Sequence, residues 1–248
     1  MTSNQFYCPR IDGQASHVVL EGAEHHHLAR VVRVGAGETV WIFDAQGHRY
    51  RALVETVEKD RAVLRLVERE PEEEAGVKLV LVQALIPARK LELILEKASE
   101  FGISEFIPVE TVRSLKSPGD GRSGRKVERW TRIAREATKQ SKGASVPRVC
   151  DTRALKSLLQ KPGRGLRIFL SERGGKPLRI LLSERGEAAG SRPSPVTVFV
   201  GPEGGWTEGE EESFRGAGCE PVSLGRRVLK AETAAVAAVA IISHFWKE

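Results

Sequence analysis

The chain has 248 residues, 40% of them hydrophobic and 29% charged, with a net charge of +6. That length suits one large domain or two ordinary ones, and that mixture is globular rather than disordered or fibrous. The longest apolar run, Ala234 to Ile242, is too short to span a bilayer, and the N-terminus lacks a signal-peptide pattern.

Residues 1–72 read as β-rich. Glu38 to Phe43, Tyr50 to Val57 and Ala62 to Val67 have the partial alternation of short strands, with Gly35, Gly37 and Gly47 marking turns. Several short strands joined by tight turns predict a small barrel. The polar stretch Glu70 to Gly76 is the expected boundary to a second domain over 77–248. Val77 to Ile86 is a continuous apolar strand of the kind buried in a parallel sheet. Leu91, Ile94, Leu95, Ala98 and Phe101 then recur at helical spacing, Gly102 stands at a C-cap position, and Ile103 to Val109 is the next strand. This βαβ pattern continues to the end and predicts an α/β fold.

Residues 110–148 hold eleven Lys and Arg against four Asp and Glu, a net of +7, so the rest of the chain sums to −1. Such a local excess is the footprint of a polyanion partner, although a solvated helix face has the same composition. A loop over Ser117 to Gly124 leads into a helix with Val127, Trp130, Ala134 and Ala137 on one face. Arg125, Arg129, Arg132 and Lys139 fall on the other side, with Arg135 and Lys142 near its edges. These cations suit phosphate contacts, which position a nucleic acid without reading its sequence. Leu170 to Gly174 recurs as Leu182 to Gly186, too short an echo for a repeat architecture, and Gly186 to Pro195 reads as a loop. Thr207 and Glu210 form a capping box, and Gly216 and Gly218 close that helix. Ala231 to Trp246 is apolar on nearly every side, so burial all round, in a core or a subunit interface, is expected.

The chemistry concentrates in the last fifty residues. Val196 to Val200 stops at Gly201-Pro202-Glu203-Gly204-Gly205, and Leu224 to Ala235 forms a second loop running into a helix. Two loops at strand ends read as two lips of one ligand site, with glycines that let a ligand approach the backbone. The first loop is neither Gly-x-Gly-x-x-Gly nor a P-loop, so phosphate binding is a poor reading. Alone, it fits a plain strand-to-helix turn equally well. Cys8, Cys150 and Cys219 are odd in number and far apart, which fits a reducing cytoplasm and argues against disulfides or zinc. His25, His26 and His27 are consecutive and cannot converge on one ion from a regular element, so no metal is expected.

Taken together, Gly201 to Glu210 followed by Val222 to Ala238 resembles the C-terminal signature of SPOUT-class RNA methyltransferases, and more narrowly that of the ribosomal small-subunit methyltransferase E family. His26 to Arg33, Leu91 to Glu105 and Glu136 to Ser141 match in order, so the resemblance covers essentially the whole chain. It implies a PUA-like RNA-binding barrel, a SPOUT domain with a trefoil knot, and a homodimer through the C-terminal domain. It implies methyl transfer from S-adenosylmethionine to N3 of a uridine in 16S rRNA of the small ribosomal subunit, at position 1498 in the usual rRNA numbering.

Carried onto this sequence, the resemblance places the cofactor at Leu170 and Ser171, at Gly201, Pro202, Glu203, Gly204 and Gly205, and at Leu224, Gly225, Val228, Leu229, Thr233 and Ala234. A carboxylate such as Glu203 or Glu232 beside the cationic sulfonium is favourable. Uridine N3 must lose its proton, which makes Glu232 the candidate base and Arg227 and Lys230 candidate stabilisers; a first-turn helix carboxylate would equally suit the dipole. Arg30, Arg33 and Arg113 join the basic helix as expected RNA contacts. Lys230 stands where the family has Arg, keeping charge but losing the planar fork, and Lys142-Gly143 stands where an Arg follows Gln-Ser. A SPOUT ribose 2′-O-methyltransferase acting on tRNA or rRNA and a non-catalytic ribosome-assembly protein are the alternatives. The His-His-Leu segment and β-rich first domain disfavour the former, and the intact glycine loop disfavours the latter.

Overall fold

The computed structural model describes residues 4–12, 15–71, 77–116, 123–160, 163–188 and 193–247. The expected boundary at 70–76 and the expected loop at 117–124 therefore lie largely outside the described residues. The chain divides into two compact units, residues 1–74 with 138–146, and residues 75–137 with 147–248.

The first unit holds β1 (Gln5–Tyr7), β2 (His17–Glu21), α1 (Gly22–His26), β3 (Thr39–Phe43), β4 (Arg49–Val57) and β5 (Arg61–Arg69). Its sheet has the order β1-β3-β4-β5-β2, antiparallel except for β1 beside β3. Two register shifts between β4 and β5 bend the ladder, as bulges do, and curl the sheet. Inward positions alternate: Val18 and Leu20 on β2, and Tyr50, Ala52 and Val54 on β4, are buried. Phe6, Leu28, Ile42 and Leu64 complete that core. A π-helical stretch over His27–Val32 follows α1 and ends on Arg33 in the left-handed region.

Residues 138–146, which the sequence pattern placed in the second domain, pack in this first unit. Their anchors are the Gly143 carbonyl, which accepts from Gln5 Nε2, and Lys139. Lys139 is buried, and its ammonium meets both carboxylate oxygens of Glu24 at 3.1 Å. Glu24 in turn accepts a hydrogen bond from the Tyr7 backbone N–H, and His27 Nδ1 lies 3.3 Å from the same ammonium.

The second unit is built on β6 (Leu79–Ala84), α2 (Ala88–Glu100), β7 (Glu105–Glu110), α3 (Ser123–Gln140, its last turn in the first unit), β8 (Arg148–Val149), β9 (Arg153–Ala154), α4 (Leu155–Leu159), β10 (Leu166–Leu170), β11 (Lys176–Pro177), α5 (Leu178–Ala188), β12 (Val196–Val200), α6 (Glu208–Gly216), β13 (Glu220–Ser223) and α7 (Ala231–Lys247). All the strands are parallel, in the order β11-β13-β10-β12-β6-β7-β8, with β9 on β7. The central strands are buried on both faces, which is why they read as unbroken apolar runs.

Helix ends follow local chemistry. α2 closes in a Schellman motif: Gly102 has φ +69°, Ile103 N donates to Ala98 O and Gly102 N to Ser99 O. α6 opens with the full Thr207–Glu210 capping box.

Two expectations change, at α5 and at α7. α5 runs to Ala188, so Gly186 lies in a helix and not in a loop. The echoed pentapeptide adopts two conformations, strand end and loop at 170–174 and helix at 182–186, because neighbours outweigh five residues of local preference. α7 is not buried all round. Ala235, Ala238, Val239, Ile242 and Trp246 form its buried stripe, while Thr233, Ile241, His244 and Phe245 are exposed.

One crossing controls the C-terminal half. β13 lies between β10 and β11, two strands joined by only five residues, 171–175. Ser171 N donates to Val222 O, and a Cβ added at Gly175 would fall 2.6 Å from Pro221 O and 2.9 Å from Val222 N. No side chain fits where one backbone passes another this closely. Gly175→Ala is expected to cost more than about 2 kcal/mol through this overlap. Gly209→Ala, which has nothing within 4 Å, should leave stability unchanged or raise it. Urea midpoints decide, and a Gly175→Ala midpoint equal to that of the parent excludes the tight crossing.

Candidate active site

The carboxyl ends of β10, β12 and β13 open into one cavity of about 740 Å³, within the range of small-molecule sites. The three loops that form it, 171–175, 201–206 and 224–230, are held by backbone-directed contacts. Trp206 Nε1 donates to Leu170 O at 2.8 Å, tying the second loop to the first. A Cβ at Gly201 would press within 3.2 Å of that indole, so the glycine makes room for the Trp206 ring. Gly205, at φ +66°, donates its N–H to Pro202 O and closes the turn. Arg113 donates to Gly204 O at 2.8 Å, and a Cβ on Gly204 would face the Arg113 side chain in ordinary contact. The special backbone thus belongs to Gly205, while Gly204 serves the Arg113 contact.

The buried Ser171 hydroxyl donates to Glu211, also buried, and accepts from Arg173 N. Glu211 also pairs with Arg215 at 3.1 Å, so its charge is compensated. In the third loop, Gly225 has φ +129° and bonds Ser223 Oγ.

Leu170, Ser171, Gly201, Pro202, Glu203, Gly204, Gly205, Leu224, Gly225, Val228, Leu229 and Ala234 all line this cavity, as do Arg227 and Lys230. Thr233 does not: it is exposed on the first turn of α7. Glu232 is also off the wall and reaches it only through Lys90, at 3.6 Å. Lys90 is the residue the sequence pattern missed. It sits in the first turn of α2 and bridges Glu203, by a hydrogen bond, and Glu232. The hydrogen bond to Glu203 raises the Lys90 ammonium above its ordinary value, so Lys90 is charged at neutral pH. Glu232 Oε2 is buried without a hydrogen-bond partner among the described residues. Arg113 was expected at RNA and stands on the cavity wall; Trp206, Glu172, Arg173 and Arg226 are further wall residues not anticipated. Position was the available signal for Lys90, because residues just past the carboxyl end of a parallel strand line such clefts.

Arg125, Arg129 and Arg132 are exposed on α3, with Arg129 paired to Glu92 at 2.7 Å, and Arg135 is half-buried. Arg30, Arg33 and Lys142 are exposed in the first unit. Lys139 must be removed from the expected RNA face, since burial against Glu24 takes its ammonium away from solvent. Helical spacing alone put it beside Arg132; the last turn of α3 packs in the first unit instead.

These features define a class before they define a protein. The model of the RNA methyltransferase domain matches residues 73–243, and that of the RNA methyltransferase PUA domain matches residues 20–67. A ribosomal RNA small subunit methyltransferase E of Bacillus subtilis is 31% identical over 227 residues, covering 91% of this chain and 89% of that protein. Its namesake from Synechocystis is 31% identical, over 91% of this chain and 72% of that one. The crystal structure of a ribosomal RNA small subunit methyltransferase E from Neisseria gonorrhoeae bound to S-adenosyl methionine superimposes with a TM-score of 0.86 at 27% identity, over 98% of both chains. The chain belongs to the ribosomal RNA small subunit methyltransferase E family.

Glu24→Ala is expected to cost about 3 kcal/mol, because it strands a buried ammonium. Arg129→Ala should change stability by less than about 0.5 kcal/mol, since an exposed pair contributes little. Denaturant titration of both variants checks the contrast, and equal costs would return Lys139 to the exposed set.

Proposed function

We propose that this protein uses S-adenosylmethionine to methylate N3 of a uridine in the 16S rRNA of the small ribosomal subunit. The observation that carries the reading is the three-loop cavity, in a chain whose relatives bear that enzyme's name. The cavity fits the cofactor. Leu170, Leu224 and Leu229, all partly exposed, offer apolar surface to an adenine, and the glycine-rich loop offers backbone groups to its edge. Glu203 supplies a carboxylate on the wall for a cationic sulfonium. Once bound, the cofactor supplies an electrophilic methyl group.

The chain's own task is the proton on uridine N3. Glu232 is the proposed acceptor: one oxygen lies 3.6 Å from the wall residue Lys90, and the other has no hydrogen-bond partner among the described residues. Arg227 and Lys230 are exposed at the cavity, make no ion pair among the described residues, and are proposed to stabilise the negative charge that develops on the uracil. Arg113, from the opposite wall, holds the glycine loop in place through Gly204 O. Arg125, Arg129, Arg132, Arg135, Arg30, Arg33 and Lys142 are the proposed phosphate contacts.

We assign the trefoil knot to the same crossing at Gly175, where the chain lays β13 between β10 and β11 before running on into α7. Residues 1–72, which hold the curled sheet and its core, make the PUA-like RNA-binding domain, with 138–146 packed in the same unit, and the remainder of 77–248 makes the methyltransferase domain. A homodimer is favoured by four large apolar side chains left exposed at two packed helices, Leu93 of α2, Phe101 at its C-terminal cap, and Ile241 and Phe245 of α7. Sedimentation is expected to show a dimer, and a monomer at micromolar concentration excludes this interface. No helix among the described residues is long and apolar enough to cross a membrane, and all three cysteines are free, in keeping with a cytoplasmic enzyme.

Labelled S-adenosylmethionine, with small subunits lacking the modification, is expected to yield a methyl group on uracil N3, mapped by nuclease digestion and mass spectrometry. A methyl group on ribose, or none, overturns the reading. Glu232→Gln is expected to lower kcat by about 10² or more, with a rate that climbs as pH rises because solvent must take the proton. A raised KM with unchanged kcat would reassign Glu232 to holding Lys90.

A further inference from the structure

A second cavity, of about 720 Å³, opens beside the first within the same unit, at the carboxyl end of β7. The two share their dividing walls. Along residues 111–113, Thr111 and Val112 face the second cavity and Arg113 the first. Along α6, Glu210 faces the second and Glu211 the first. A hydrogen bond from Val112 N to Glu210 Oε1, at 2.8 Å, ties the two walls together.

Three features of this cavity ask for a ligand. Thr111 is only 5% exposed, yet its hydroxyl has no hydrogen-bond partner among the described residues. Its backbone is satisfied: the N–H donates to Ser114 Oγ, and the carbonyl accepts from Ser114 Oγ and, at 3.5 Å, from Lys116 Nζ. A buried hydroxyl left unpaired is costly, so the orphan group points to an absent partner. Lys116 and Lys156 stand exposed at the cavity from different segments, and neither makes an ion pair among the described residues. Leu159 and Val112 add apolar surface to the same lining.

The carboxylates present do not cancel this character. Glu210 is consumed, accepting from Val112 N, Thr207 N and Thr207 Oγ1. Glu110, half-buried, offsets one lysine and leaves room for a ligand of low negative charge with a flat apolar body. A single nucleotide unit has that make-up: a base for the apolar wall and the hydroxyl, and one phosphodiester for the ammonium groups.

We propose that the second cavity receives a nucleotide of the RNA substrate that neighbours the methylated uridine. Its base lies on Leu159 and Val112 with a polar edge on Thr111 Oγ1, and its phosphate lies between Lys116 and Lys156. The inference rests on the RNA-methylating function proposed above and names a second contact point of that substrate. Because 111–113 walls both cavities, a nucleotide seated here sets the depth to which its neighbour enters the first.

The test pairs Thr111→Val with the double variant Lys116→Ala, Lys156→Ala, using small subunits that lack the modification. Calorimetry with S-adenosylmethionine should give parent affinity for both, which also reports an intact fold. The double variant should lose about 0.7 from the slope of log K against log salt, the value for one neutralised phosphate on a single strand. Both variants should raise KM for the subunit about tenfold with kcat nearly kept. Parent values of slope and KM in both variants overturn the second contact point. Absence of methyl transfer by the parent protein sinks the enzymatic reading instead, and the salt slope of RNA binding then still decides the cavity.

Discussion

The backbone crossing at Gly175 is the constraint on which the C-terminal half depends. With β13 laid between β10 and β11, the five-residue link 171–175 has to pass over Pro221 and Val222 at a distance that admits no Cβ. That passage puts the carboxyl ends of β10 and β13 side by side, with β12 next to β10. Three loops distant in sequence are thereby brought around one cavity. Trp206 then fastens the middle loop to Leu170, and the glycine at 201 exists to leave the ring its space.

Charge around the cavity is arranged in two kinds of group. Buried carboxylates are compensated: Glu211 by Ser171 and Arg215, and Glu210 by the α6 cap and Val112. The cations of the third loop, Arg226, Arg227 and Lys230, stay exposed. Lys90 stands between the two kinds, spending its charge on Glu203 and Glu232. In water such pairs contribute little to stability, so their value lies in orienting groups at the cleft. The buried Lys139–Glu24 pair is different in kind. It fixes the end of α3 within the first unit, where an unpaired ammonium would be costly.

Much of the candidate site was legible in the chain itself, because its backbone requirements leave marks in residue type. Gly102, Gly205 and Gly218 occupy left-handed conformations that glycine adopts without strain. Thr207 and Glu210 announce a helix start through side-chain chemistry that needs only three residues of context. Doubly buried strands announce themselves as apolar runs, as in Val196–Val200. Lys90 carried no such mark. A lysine in the first turn of a helix looks like any solvated lysine, and its partners lie 113 residues or more away.

The sequence by itself determined the βαβ alternation, the glycine loop, the helix caps and the basic segment, since each rests on local periodicity, backbone conformation or composition. Only the tertiary structure decided that Lys139 is buried, that Thr233 faces solvent, that α7 buries one stripe, and that Glu232 meets the cavity through Lys90. It also decided that identical pentapeptides at 170 and 182 become loop and helix. The physical reason is common to all of these. Burial, pairing and crossing order are set by contacts between residues far apart in the chain, and those contacts outweigh the few tenths of a kcal/mol that local propensity contributes at each position.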